Sequence, residues 1–177
     1  MRRQRKISTL ATVATAVTVA VVGTVTVGVG VAQAGDQRDQ RSKHDKRVKV
    51  EREIAGLFDQ WNSALQTGDA ERVADRYAHD AVLLPTASPQ IRTNEAEIVD
   101  YFQHFLLKKP RGEKIRTVIN ILDSDSAIDA GLYRFYLTDP ITGVTKPLEA
   151  RYSYSYEKRG GKWLIVNHHS SVLPAAG

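Results

Sequence analysis

Residues 144–172 read VTKPLEARYSYSYEKRGGKWLIVNHHSSV, and this stretch gives the clearest indication of the fold. Its tyrosines alternate with polar residues, which is typical of a β-strand with one buried face. The sequence KRGG at 158–161 is typical of a tight turn between antiparallel strands. We therefore predict a hairpin whose strands are 144–157 and 162–172.

The two-residue period continues upstream, and a helical period precedes it. The turn sequence DPITG at 139–143 joins a further strand to the hairpin, so that the last three strands form a meander. The predicted strands after Gly112 are 115–122, 127–138, 144–157 and 162–172. Before them, the patterns predict helices at 50–67, 70–78 and 95–108, with one short strand at 81–84. This order predicts an α+β fold, with helices on the concave face of a curved antiparallel sheet and a pocket at its open end.

The first 34 residues are predicted to be an export signal peptide. A basic head that ends at Lys6 precedes an uncharged run over 7–31, and the run ends in Ala32-Gln33-Ala34. This arrangement is typical of a cleaved signal, with cleavage expected before Gly35. The alternative is an uncleaved anchor, because about 20 apolar residues are enough to cross a bilayer. We expect an exported protein, secreted or periplasmic, with no stable membrane insertion after cleavage.

The net charge of +5 comes from the N-terminal part of the chain. Residues 35–53 hold seven bases and five acids with almost no apolar side chain, and they are predicted to be a charged, solvated linker. From residue 54 onward, 14 bases and 15 acids give −1, so the domain predicted over 54–177 is close to neutral. No nucleic-acid partner is therefore expected.

The segment Asn167-His168-His169-Ser170-Ser171 carries the strongest functional signal. Successive side chains of a strand point to opposite faces, so His168 and Ser170 share one face and His169 and Ser171 share the other. We interpret His169 and Ser171 as the pair that faces the pocket, since histidine moves protons near neutral pH and serine holds an oxygen atom or a water. The alternative is that one histidine is hydrogen-bonded in the core and the other lies at the surface.

Other polar groups are candidates for the same pocket. Thr86 follows a short apolar strand, and Tyr101 lies on the apolar face of the third predicted helix. Tyr154 is the middle tyrosine of the 144–157 strand and is a candidate substrate contact. For both tyrosines, simple core packing is the alternative. No metal site is expected, because adjacent strand histidines cannot converge on one ion and His44, His79 and His104 lie in separate segments.

Three segments together resemble one protein family. They are AVLLPT at 81–86, IVDYFQHFLLKKP at 98–110 and WLIVNHHSSVLP at 163–174. The chain from 54 to 174 is similar to the NTF2-like proteins related to the association domain of calcium/calmodulin-dependent kinase II. Within these proteins it resembles the iota-class carbonic anhydrases. The resemblance implies an NTF2-like, cone-shaped α+β fold, self-association into homodimers or larger homo-oligomers, and reversible hydration of carbon dioxide to bicarbonate.

The resemblance also implies roles for the site residues. Thr86, Tyr101, His169 and Ser171 match positions that line the pocket and hold bicarbonate and water in metal-free members. His168 and Ser170 complete the motif and are expected to contact the substrate. On this hypothesis Tyr101 and Ser171 orient the water and the developing anion, Thr86 positions them, and His169 accepts or relays the proton.

The sequence departs from the family pattern His-His-His-Ser-Ser-x-Met-Pro at two positions. Asn167 stands in place of the first histidine, and Leu173 stands in place of the methionine. Some relatives depend on manganese or zinc, and the loss of the first histidine weakens a three-histidine metal site. We therefore expect no cofactor, with manganese or zinc as the alternative.

Two other functions fit the same fold. One is isomerisation or cyclisation of a small organic molecule, which needs a larger apolar pocket and a carboxylate or histidine base. The other is a non-catalytic assembly or binding domain, which predicts a large oligomer without turnover. The fold by itself does not choose between these functions, because one fold hosts many activities.

Overall fold

The computed structural model describes residues 29–174, with side chains from residue 36 onward. The chain divides into two units, Met1–Asp39 and Gln40–Gly177, and the second unit contains the sheet. The predicted signal peptide lies outside the described residues, apart from the backbone of 29–34, which is helical. Within 29–174, no helix combines the length and the apolar character needed to cross a membrane.

The first helix, α1, spans Val29–Gln66 and begins well before the predicted start at residue 50. The stretch predicted to be a solvated linker is therefore helical, and the side chains of 36–47 are exposed. Lysine, arginine, glutamate and glutamine are good helix formers, so a charged segment can extend a helix that is anchored by packing at its other end. Gly68, with a φ of 74°, follows the helix in the left-handed conformation that favours glycine.

The other two helices are short and are capped by side chains. Helix α2, Ala70–Ala74, begins after Asp69, which accepts hydrogen bonds from two backbone N–H groups. It ends earlier than predicted, because the chain enters a strand at Tyr77. Helix α3, Glu95–Phe105, begins after Asn94 and continues into a 3₁₀ turn at Leu106–Lys108.

Five strands form one curved sheet. They are β1 (Tyr77–Leu84), β2 (Arg111–Ile121), β3 (Ser126–Thr138), β4 (Thr145–Arg159) and β5 (Lys162–Val172), arranged in the order β1-β5-β4-β3-β2. The meander of β2 to β5 is antiparallel, as predicted. The sheet as a whole is mixed, because β1 pairs with β5 in parallel, and in this one pairing it differs from the predicted antiparallel sheet. The short predicted strand at 81–84 is the second half of β1.

Aromatic side chains fill the space between α1 and the sheet. Trp61 of α1 contacts Phe135 of β3 and Tyr154 of β4, with ring centroids 6.1 and 5.8 Å apart. Phe58, one turn earlier, packs on Tyr133 of β3. These rings lie on the inner face of the sheet and fix the residues around the site described below.

A bulge in β5 reverses the phase of its side chains. Ser155 of β4 pairs with Asn167, but the next residue, Tyr156, pairs with Ile165, so that Val166 is an extra residue. Before the bulge the odd-numbered side chains of β5 are buried, and after it the even-numbered ones are buried. The bulge therefore determines which alternate side chains of the His-His-Ser-Ser segment face inward.

Candidate functional site

A small cavity opens between α3, the end of β1 and the inner face of β3 and β5. Its walls are mostly aromatic and aliphatic, and about 20 Å³ inside it is accessible to the centre of a water molecule. A cavity of this size exceeds the roughly 10–15 Å³ that one water molecule needs. Five side chains with a hydroxyl or an imidazole line it, namely Thr86, Tyr101, Tyr133, His168 and Ser170.

Three of these groups form a connected hydroxyl cluster. Tyr133 donates a hydrogen bond to the Ser170 hydroxyl, which also bonds to the hydroxyl of Thr86. Ser170 and Tyr133 are buried, whereas Thr86 is half-buried. Whichever way the bond between Ser170 and Thr86 points, one hydroxyl hydrogen of this pair is left for a ligand.

His168 is buried beside this cluster, with 4% of its surface exposed. Its Nδ1 atom is hydrogen-bonded to the Tyr77 hydroxyl at 2.8 Å, and its ring stacks on Tyr154 with centroids 4.1 Å apart. Its Nε2 atom is buried and has no hydrogen-bond partner among the described residues. Burial, with a smaller contribution from the nearby His169, lowers the pKa of His168 to about 3, so the imidazole is neutral at physiological pH.

Tyr101 provides the fifth polar group. It extends from α3, is largely buried, and stacks on Phe105 with ring centroids 5.6 Å apart. Burial raises the pKa of Tyr101 above its usual value, as it does for Tyr133. Among the described residues that line the cavity there is no carboxylate, lysine or arginine. The cavity therefore presents neutral hydrogen-bonding groups in largely apolar surroundings.

The structure places His169 and Ser171 on the opposite face of β5, so the prediction that they face the pocket is wrong. His169 is exposed and lies across from Ser153, while Ser171 is half-buried across from Arg151. The reason is the bulge at Val166, which moves the even-numbered side chains inward after that point. The structure thus brings Thr86 and Tyr101 together with His168 and Ser170, which had been predicted as substrate contacts.

Tyr154 does not line the cavity. It is fully buried between Trp61, Tyr156 and His168, and its hydroxyl has no partner in the described part of the chain. Core packing therefore describes Tyr154 better than direct contact with a substrate does. It contributes to the site by supporting the ring of His168.

The sequence interpretation missed Tyr133 and placed Tyr77 on a helix. The signal for Tyr133 was present, because it shares the two-residue period of β3 with the buried Ala127, Asp129 and Phe135. Tyr77 is the first residue of β1 and reaches His168 across the sheet. This contact depends on the parallel pairing of β1 with β5, which the sequence did not predict.

The cavity does not fit manganese or zinc. A protein site for these ions supplies three or four nitrogen, sulfur or carboxylate ligands, whereas the cavity holds one imidazole and several hydroxyls. Elsewhere in 29–174, no three histidine or acidic side chains converge as a metal site would require. No step of the chemistry below is therefore routed through a metal ion.

Comparison with solved structures defines the class of fold. An NTF2-like protein with a cystatin-like fold from Novosphingobium aromaticivorans superposes with a TM-score of 0.63 at 11% identity, covering 76% of this chain and 89% of that one. A ketosteroid isomerase-like protein from Erwinia carotovora atroseptica superposes with a TM-score of 0.58 at 18% identity, covering 68% and 94%. Similarity at these identities shows a shared fold, and the fold is therefore NTF2-like.

Closer similarity defines the family. The model of the calcium/calmodulin-dependent protein kinase II association domain matches residues 50–174. A structure described as such a domain, from Xanthomonas campestris, is 53% identical, with a TM-score of 0.69 over 71% of this chain and 89% of that one. No functionally curated protein matches the sequence. The chain belongs to the calcium/calmodulin-dependent protein kinase II association domain family.

Proposed function

We propose that the domain catalyses the reversible hydration of carbon dioxide to bicarbonate in the cavity around His168 and Ser170. The observation that carries this proposal is the convergence of a hydroxyl cluster and a neutral imidazole on a cavity of about 20 Å³. Carbon dioxide and bicarbonate are small, and oxygen atoms are their hydrogen-bond acceptors. A cavity of neutral hydrogen-bonding groups suits such a ligand.

The chemistry follows from where negative charge develops. The oxygen of a water molecule attacks the carbon of carbon dioxide, a C–O bond forms, and one C=O electron pair moves onto oxygen. The free hydroxyl hydrogen of the Ser170–Thr86 pair and the ring of His168 surround the space that this oxygen would occupy. Hydrogen bonds in water-excluding surroundings stabilise such a charge by a few kcal/mol each.

The proton of the attacking water leaves to solvent at the cavity mouth, beside the half-buried Thr86. A base near neutral pH is not present among the described groups that line the cavity, because the pKa of His168 is lowered and the tyrosine pKa values are raised. This assignment differs from the sequence hypothesis, in which a histidine accepts the proton. We expect turnover to be slower than at a zinc-bound hydroxide.

The test is stopped-flow measurement of carbon dioxide hydration by the purified protein, before and after treatment with a chelator. Hydration above the buffer rate that survives the chelator supports the proposal. Activity that disappears with the chelator and returns with manganese or zinc contradicts the proposed chemistry. A folded protein without hydration activity contradicts the proposed function.

Assembly is the second candidate function, and the family match favours it. An association domain with no turnover would use the cavity as part of its core. The third alternative, isomerisation of a small organic molecule, shares the fold of the ketosteroid isomerase-like protein. Such a reaction needs a base beside a larger apolar space. The buried carboxylate of Asp129 is not among the groups that line this cavity.

A further inference from the structure

Two buried side chains outside the hydroxyl cluster form a series of hydrogen bonds that ends at His168. The Nε1–H of Trp61 donates to the Tyr77 hydroxyl at 3.0 Å, and that hydroxyl lies 2.8 Å from His168 Nδ1. All three side chains are buried, and the ring of Tyr77 packs beside that of His168. These hydrogen bonds connect α1, β1 and β5, so each of the three side chains is held by a different element of the fold.

The available protons determine which group donates in each of these hydrogen bonds. An indole N–H donates and never accepts, so the Tyr77 oxygen accepts the hydrogen bond from Trp61. The Tyr77 O–H then needs an acceptor of its own, and His168 Nδ1 is the acceptor within reach in the described structure. Nδ1 therefore carries no proton. A neutral imidazole has a single N–H, which must then be on Nε2.

The Nε2–H is a buried donor without a partner in the described part of the protein, and its side chain lines the cavity. Leaving such a donor unpaired is unfavourable, so an acceptor that enters the cavity recovers free energy by binding there. A ligand that placed a hydrogen-bond donor there would bring its hydrogen against the Nε2–H of His168 and be repelled.

We infer that Tyr77, oriented by Trp61, is a positioning residue that holds His168 as a hydrogen-bond donor toward the cavity. The pocket then selects ligands that present an acceptor oxygen, such as bicarbonate or another small oxyanion. The consequence for turnover rests on the proposed hydration of carbon dioxide. The form of the imidazole itself does not depend on that reaction.

The first test reads the imidazole directly. In protein labelled with ¹⁵N at histidine, long-range ¹H–¹⁵N spectra at neutral pH distinguish a ring protonated at Nε2 from one protonated at Nδ1. We expect the buried histidine, identified by its absence in His168→Gln, to carry its proton on Nε2. A proton on Nδ1, or on both nitrogens, overturns the inference without any variant of Tyr77.

The second test removes the hydroxyl of Tyr77 and compares a matched variant. Tyr77→Phe deletes the donor to Nδ1, so a population protonated at Nδ1 appears, and kcat/KM for hydration falls about tenfold. Tyr156→Phe deletes another buried hydroxyl, which has no hydrogen-bond partner among the described residues. It leaves the spectrum and kcat/KM unchanged. An unchanged spectrum in a folded Tyr77→Phe protein overturns the inference.

Addition of sodium bicarbonate, against sodium chloride at equal ionic strength, separates the two proposals. A shift of the Nε2–H resonance with bicarbonate alone supports the inference that this group receives an acceptor oxygen. If the ring is protonated at Nε2 and responds to bicarbonate while hydration is absent, the positioning role stands and the proposed function fails. If hydration is present and the ring is protonated at Nδ1, the proposed function stands and the positioning role fails.

Discussion

Among single residues, the two neighbouring serines of β5 give opposite predictions. Ser170 joins Tyr133 and Thr86 in the cavity, whereas Ser171 lies on the outer face of the sheet. Replacing Ser170 with alanine removes the centre of the hydroxyl cluster, and we expect hydration to fall on the order of 100-fold. Ser171→Ala should stay within about twofold of the wild type, as is usual for a change away from a site.

Stopped-flow kinetics on the two serine variants, with circular dichroism to verify folding, measures this difference. A larger loss in Ser171→Ala than in Ser170→Ala would contradict the placement of the site. The same comparison applies to the histidines, because His168 lines the cavity and His169 is exposed.

His168 also predicts how stability depends on pH. Its pKa is about 3 in the folded protein against an ordinary value of 6.5, so between these values the unfolded chain binds a proton that the folded protein does not. The part of the free energy of unfolding that depends on a neutral His168 is therefore fully present above pH 6.5, and it is lost as the pH falls toward 3. The loss amounts to about 1.4 kcal/mol per pH unit in this window.

Urea denaturation at pH 7, 6 and 5 tests this dependence on pH. The wild type should lose stability relative to His168→Gln as the pH falls, because glutamine does not titrate. Parallel curves for the wild type and His168→Gln would show that the pKa of the buried imidazole is not lowered.

Among the elements, the pairing of β2 with β3 depends on one glycine. Ile115 is an extra residue in β2, and the adjacent Arg116 carbonyl oxygen approaches Gly131 of β3. A Cβ atom at Gly131 would lie 1.9 Å from that oxygen, which belongs to the backbone and cannot turn aside. The close approach of the two strands requires glycine here.

Two glycine-to-alanine variants therefore have opposite expected effects. Gly131→Ala should lower the free energy of unfolding by about 1–3 kcal/mol, through overpacking and movement of the bulge. Gly56→Ala, within α1, meets no atom within 4 Å and should raise it by about 0.5–1 kcal/mol. Thermal or urea denaturation measures both changes, and equal effects would contradict the strand geometry.

For the whole molecule, the outer face of the sheet predicts association. Val118 of β2 is 47% exposed and lies opposite Ala130 of β3, on the face away from the aromatic core. Leu132 and Ile128 share this face, since they alternate with the buried residues of β3. Apolar side chains on this face and membership of an association-domain family together favour contact between copies of the chain.

We expect light scattering to give a mass that is a multiple of the single chain, which is 19.6 kDa before any cleavage. Val118→Lys should weaken the association roughly tenfold or more, by placing a charge on the face. Ile141→Lys is the matched control, because Ile141 is 92% exposed in the 139–143 turn. A wild-type mass of one chain, or equal effects of the two variants, would contradict this interface.

Much of the fold was predictable from local patterns. The strands of the meander and the buried faces of α1 and α3 follow from period and turn chemistry, which act between residues close in sequence. Thr86 and Tyr101 were placed at the cavity for the same reason. The parallel partner of β1 was not predictable, because pairing across about 80 residues leaves no local signal.

Residue identity and spacing alone fix the α+β order, the polar segment at 167–171 and the near neutrality of the domain. Pairing between strands, which arises only in the tertiary structure, fixed which side chains of that segment face the cavity. One extra residue in β5 reverses the alternation of side chains, and a bulge is created by pairing with the neighbouring strand. Tertiary structure also decided that His168 is neutral, because burial and contact with Tyr77 arise only when β1 and β5 lie side by side.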